Sequence, residues 1–144
     1  MGNIYDYYAS TDDTQALALF EDDSMVDPFG TLGLKGVDPY LILGTVEAHL
    51  TGVSEEQVEA DPRFCELLND PEQDGPWLVS LTDTLRDALA AATSERLLET
   101  ATAWTHTEDG GGEDPRLMAD FLERLGELAR DAGLRRRLYC GMSL

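Results

Sequence analysis

An indole, an imidazole and two carboxylates fall within six residues at Trp104, Thr105, His106, Thr107, Glu108 and Asp109, and Gly110, Gly111 and Gly112 follow directly. Side chains of these types can ligate a cation, hydrogen-bond a small ligand or meet a protein partner, and loops are where a rigid scaffold commonly carries such work. Trp104, His106, Glu108 and Asp109 are therefore the candidate ligand- or partner-binding residues. A metal site would draw on His106, Glu108, Asp109 and Glu113, yet their spacing fits no zinc template and lacks the regular oxygen ligands of a calcium loop. No metal ligand is assigned. The plain alternative is structural: Trp104 closes a core helix, His106 is solvated, and the glycines connect two helices.

Signals for catalysis are absent elsewhere in the chain. His49 lies in a helical stretch beside Leu50, where a boundary histidine with one satisfied hydrogen bond is expected. Cys65 and Cys140 have no sequence neighbours that would activate a thiolate, and no serine stands in a nucleophile elbow. Gly30, Gly33 and Gly36 precede a helix without the lysine and hydroxyl of a phosphate loop. No catalytic residue and no cofactor are assigned, and both cysteines are read as reduced packing residues rather than a disulfide.

Composition narrows the partners. The formal charge is −19, which argues against binding a nucleic-acid backbone, because phosphate contact needs a basic footprint. The acidity suits a solvated surface, a basic protein partner, divalent cations or mimicry of nucleic acid. Arg135, Arg136 and Arg137 are the one concentrated positive run; they could bind an anion or a partner, but after a helix end they also complement the negative end of its dipole, which is the favoured reading. Lys35 is the only lysine, and heavy use of arginine, alanine and leucine looks like high-GC bacterial coding. Neither a cleavable signal nor a long apolar run is present, so a cytoplasmic location with no membrane association is expected.

The elements that must position these residues are read from periodicity. Asp114 and Pro115 start a helix, and Met118, Phe121, Leu122, Leu125, Leu128 and Ala129 recur at three and four to form its buried stripe up to Ala132. Asp120, Glu123, Arg124, Glu127, Arg130 and Asp131 take the wet side, with Asp120 and Arg124 spaced for an ion pair. Gly133 stops the helix, and Leu138 to Leu144 alternates as a half-buried strand. At the other end Asn3 to Tyr8 reads as a strand able to pair with it. Between them come a helix capped by Ser10 or Thr11, a turn-rich segment from Asp23 to Gly36, and a central helix from Asp38-Pro39 to Gly52. Ser54 and Gln57 form a capping box, Pro62 reopens helix-like chain through Leu68, and Asn69 to Pro76 is an acidic loop. Trp77 to Leu81 reads as a buried strand, and Thr82 and Ser94 cap helices carrying Leu85, Ala88 and Leu89, then Leu97, Leu98 and Ala101. The expectation is one α+β domain spanning residues 1–144, with five or six helices packed on a small sheet that includes the N- and C-terminal strands.

Four stretches, Met1-Gly2-Asn3-Ile4-Tyr5, Leu50-Thr51-Gly52, Trp77-Leu78-Val79-Ser80-Leu81 and the helix and strand from Asp114 onward, occur in an order that resembles the YfbM-like family of uncharacterised bacterial proteins. A Trp-His pair familiar from the central helix of that family is replaced here by Tyr40-Leu41-Ile42-Leu43-Gly44. The resemblance implies an α+β fold and carries no activity with it. Small size, acidity and the lack of a catalytic constellation point to a non-enzymatic protein-interaction module, one form of which is an immunity-type protein that neutralises a toxin. The alternative is a small-ligand- or metal-binding enzyme using the loop of residues 104–113.

Overall fold

The computed structural model describes residues 4–21, 32–35, 38–72, 75–108, 111 and 113–143. The expected α+β architecture is present: among the described residues, six α-helices pack on a four-stranded sheet with strand order β2-β1-β4-β3 and every neighbour antiparallel. Strand β1 (Ile4–Ser10) pairs along its whole length with β4 (Arg137–Ser143), in a register that sets Tyr7 opposite Cys140 and Tyr8 opposite Tyr139. The two ends of the described chain therefore form the middle of the sheet. Strand β2 (Leu32–Lys35) borders β1 and β3 (Trp77–Ser80) borders β4. The apolar residues of the turn-rich segment at Met25, Val26 and Phe29 lie outside the described residues.

Alternation along these strands divides the side chains between two faces. Tyr5, Tyr7, Ala9, Val79, Leu138 and Cys140 enter the main core beneath α6 (Pro115–Ala132). That helix buries the whole expected stripe from Met118 to Ala129, and Tyr7 meets Phe121 edge-on at 5.4 Å. Asp114 caps it by accepting from the Arg116 amide, Pro115 occupies its first turn, and Gly133 ends it at φ 57, ψ −149, a conformation that only glycine adopts without strain. The Asp120–Arg124 pair forms at 3.3 Å on the wet side. Helices α4 (Asp83–Ala91) and α5 (Ser94–Trp104) flank α6, and Gly126 lets the α4 backbone approach, since a Cβ there would stand 3.3 Å from the Leu89 carbonyl.

The other face corrects the expectation of a half-buried C-terminal strand. Tyr8, Leu78 and Tyr139 are buried there with Ala16 beneath α1 (Asp13–Glu21), so the sheet is covered on both sides. The Tyr8 and Tyr139 rings lie 5.9 Å apart, and the Tyr8 hydroxyl donates to the Ala16 carbonyl at 2.7 Å. At Gly141 a Cβ would meet Phe20 at 3.0 Å, so the absent side chain is what lets α1 lie this close.

Local signals placed most boundaries, with shifts of known cause. Strand β1 runs on to Ser10, so Asp12, rather than Ser10 or Thr11, accepts the Gln15 amide at the start of α1. Thr93 rather than Ser94 caps α5 by accepting from Arg96. The expected capping box forms in full, with Ser54 and Gln57 exchanging hydrogen bonds at the start of α3 (Glu55–Glu59). The central helix begins as a π-helical turn over Pro39–Leu43, continues as α2 (Gly44–Thr51), and ends at Gly52 in the left-handed conformation. Helix-like chain after Pro62 does not form. Residues 62–65 turn, Cys65 takes φ 49, and the next residues run antiparallel beside β3, with the Cys65, Ser80 and Leu68 amides donating across the pair. Phe64, Cys65, Leu67 and Leu68 fit a helical spacing, but β3 needs a hydrogen-bonding neighbour at its free edge, and this segment supplies it.

Candidate functional site

Helix α5 carries two stripes that the sequence reading merged. Leu97, Thr100, Ala101 and Trp104 point into the core, whereas Leu98, expected with them, is 45% exposed on the opposite side. That outer side lines an open cleft of about 610 Å³. Glu95, Leu98, Glu99, Thr102 and Ala103 recur along it at helical spacing, His106 continues the line past the helix end, and His49 enters from the last turn of α2. Leu98 and Ala103 provide apolar surface, and the carboxylates of Glu95 and Glu99 provide charge.

Arg96 joins the two helices beside this cleft. Its guanidinium donates to the His49 carbonyl at 2.8 Å, satisfying one of the acceptors left open at the C-terminal end of α2. Another nitrogen of the group stands 3.5 Å from His49 Nε2 and 3.4 Å from Glu99 Oε2. One half-buried arginine thus orients the histidine and partly answers the charge of Glu99, while Glu95 has no hydrogen-bond or ion-pair partner among the described residues.

The candidates named from sequence separate. His106 lies in the cleft with His49, exposed and with no ring hydrogen bond among the described residues. Trp104 closes α5 inside the main core, 6% exposed, with its buried indole N–H finding no hydrogen-bond partner among the described residues. Glu108 is exposed and does not line the cleft, and Asp109 lies outside the described residues. Among the described residues no three His, Cys, Asp or Glu side chains gather as a metal ion would require. Glu95 and Glu99, which sequence reasoning passed over, bear a signal that could have found them: acidic residues on the face of α5 opposite its buried stripe.

The remaining titratable clusters are structural. Burial pushes the Cys65 thiol up to about 12, helped by the charges of Asp38 and Glu47, and burial likewise raises Cys140, against a hydrogen bond with Tyr7. Both remain thiols at neutral pH and lack the nucleophilic form. Glu47 is buried on the inner side of α2; burial raises its carboxyl, a hydrogen bond from the Thr82 hydroxyl opposes that, and the Asp61 charge adds to it. The same Thr82 oxygen accepts the Leu85 amide, so Glu47 backs the cap of α4.

Asp13, Arg63 and Tyr139 form a tight ionic cluster on the far side of the sheet. Arg63 reaches both Asp13 oxygens at 3.1 and 3.2 Å, Tyr139 donates to the same carboxylate at 2.7 Å, and the guanidinium lies 5.8 Å above the Tyr139 ring. Burial pushes the Asp13 carboxyl up, but the Arg63 and Tyr139 hydrogen bonds, with the charges of Arg63 and Arg137, outweigh it and leave it below the usual carboxylate value. In the arginine run after α6, Arg137 pairs with Asp83 at 3.5 Å and the Arg136 carbonyl accepts from Arg86 at 2.9 Å, while Arg135 is exposed.

No helix among the described residues is long and apolar enough to cross a membrane. Comparison with protein-family models, curated proteins and solved structures finds no match.

Proposed function

We propose that this chain is a non-enzymatic interaction module for a basic protein partner, with the YfbM-like resemblance as its framework and an immunity-type role as one concrete form. The observation that carries the reading is the fate of its positive charge. Arg63, Arg86, Arg96, Arg124 and Arg137 all turn onto the chain's own carboxylates. Even if every lysine and arginine paired one-to-one, 10 cations against 29 acids leave 19 carboxylates without one. Such a surface raises the encounter rate with a basic protein and repels acidic ones.

Chemical cross-linking in extract of the source cell, followed by purification of each captured protein and affinity measurement at low and high salt, tests the proposal. The expected partner is basic, and its affinity falls as salt rises. Partners that are neutral or acidic, binding that ignores salt, or the lack of any reproducible partner would each count against it.

A further inference from the structure

We infer that the α5 cleft is the docking groove for a short basic amphipathic helix of the partner, an inference that rests on the interaction reading above. The geometry that points there is a stripe, since Glu95, Leu98, Glu99, Thr102 and His106 line one side of α5 at intervals of three and four. From residue 95 to residue 106 it extends roughly 17 Å, the length of about three helical turns. A partner helix of that length lays apolar side chains against a groove and reads as anchors at i, i+3 or i+4, and i+7.

The lining chemistry selects the occupant. Leu98 is the exposed apolar anchor, and Ala103 adds a small apolar side chain to the lining. Glu95 lies one turn before Leu98 and pairs with no cation among the described residues, so it offers a carboxylate to a lysine or arginine flanking that side chain. Glu99 offers a second, weaker one because Arg96 already stands 3.4 Å away. Arginine suits both positions, because its planar donors meet a carboxylate two at a time. A small-molecule site would instead bring buried polar groups together in an enclosed space; here Glu95, Leu98, Glu99, Thr102 and His106 are all exposed.

The probe is a fluorescein-labelled helical peptide of roughly twelve residues, with leucines on one face and arginines beside them. Its controls are a scrambled peptide of identical composition and a sequence with the leucines replaced by serine. Fluorescence anisotropy is expected to show binding of the amphipathic peptide and affinity at least about tenfold weaker for either control. Glu95→Gln with Glu99→Gln is expected to lose roughly tenfold and Leu98→Ser roughly fivefold. All three positions are exposed, so the fold is expected to survive; the exposed pair Glu127→Gln with Asp131→Asn on α6 removes the same charge elsewhere. Equal binding of the scrambled peptide, or equal losses in the two charge-matched double variants, would overturn the groove and leave the basic-partner reading standing. Absence of binding by any arginine peptide at low salt would overturn both.

Discussion

Two arginine–carboxylate clusters on this chain are built from the same chemistry and do different things. Arg63 and Asp13 expose 15% and 41% of their side chains, and Tyr139, buried beneath them, completes the carboxylate's hydrogen bonds. Arg96 and Glu99 expose 37% and 66%, with a single contact of 3.4 Å between them. The first cluster ties three separate pieces together: α1, the turn at 62–65 and strand β4. The second spans one turn of one helix and its neighbour α2. A half-buried, two-pronged ion pair holds structure because removing one partner leaves the other poorly solvated, whereas a wet pair is worth little and its carboxylate stays available to another cation.

Breaking the first cluster should have the largest effect. Arg63→Ala is expected to cost about 2 kcal/mol, the range of hydrogen bonds to a charged group discounted for the partial exposure of Asp13. Urea unfolding measures it, and an unchanged midpoint would mean that the clamp contributes nothing.

Titration sharpens the comparison next. The depressed Asp13 carboxyl contributes stability that is present above its unfolded pKa, about 3.9, and is lost as pH falls through the lower folded value. Glu47 has the opposite sign, because burial raises it: its contribution is complete below its unfolded pKa, about 4.3, and is lost as pH rises through the folded value. Asp13→Asn should therefore flatten the acid limb of the stability-against-pH curve, and Glu47→Gln should gain on wild type as pH rises from the acid side. Parallel curves for wild type and both variants would contradict these assignments.

The smallest effect belongs to the wet cluster. Arg96→Ala should change stability by no more than about 0.5 kcal/mol, while freeing Glu99 and so tightening the basic peptide. A large drop in melting temperature would show that Arg96 is holding α2 to α5 rather than adjusting the cleft.

What the sequence disclosed was local. The capping box of Ser54 and Gln57, the Asp114-Pro115 start and the Gly133 stop are satisfied within a few residues, so their residue types suffice to place them. Pairing of the terminal strands was legible because Asn3 to Tyr8 is rich in residues that suit a pleated surface and Leu138 to Leu144 alternates with period two. Burial of Tyr139 was not legible. Its ring sits in the second core while its hydroxyl depends on Asp13, 126 positions away in the chain. The segment after Pro62 misled for a similar reason, since the β3 edge it completes is a tertiary need that periodicity cannot reveal. In the site, His106 was picked out by its residue type, but Leu98 was assigned to the core because a leucine next to Leu97 fits either side of a helix. Only the position of α6, which claims Leu97, decides which one is left outside.

The division of labour is tested most directly by a crossed measurement on two variants, Arg63→Ala and the pair Glu95→Gln with Glu99→Gln. Each is assayed for urea unfolding and for affinity toward the amphipathic arginine peptide. The expected result is a crossing: the first variant loses stability and keeps its affinity, and the second keeps its stability and loses affinity. If both properties fell together in both variants, the two clusters would belong to one cooperative unit, and the separation of fold-holding charge from partner-binding charge would be wrong.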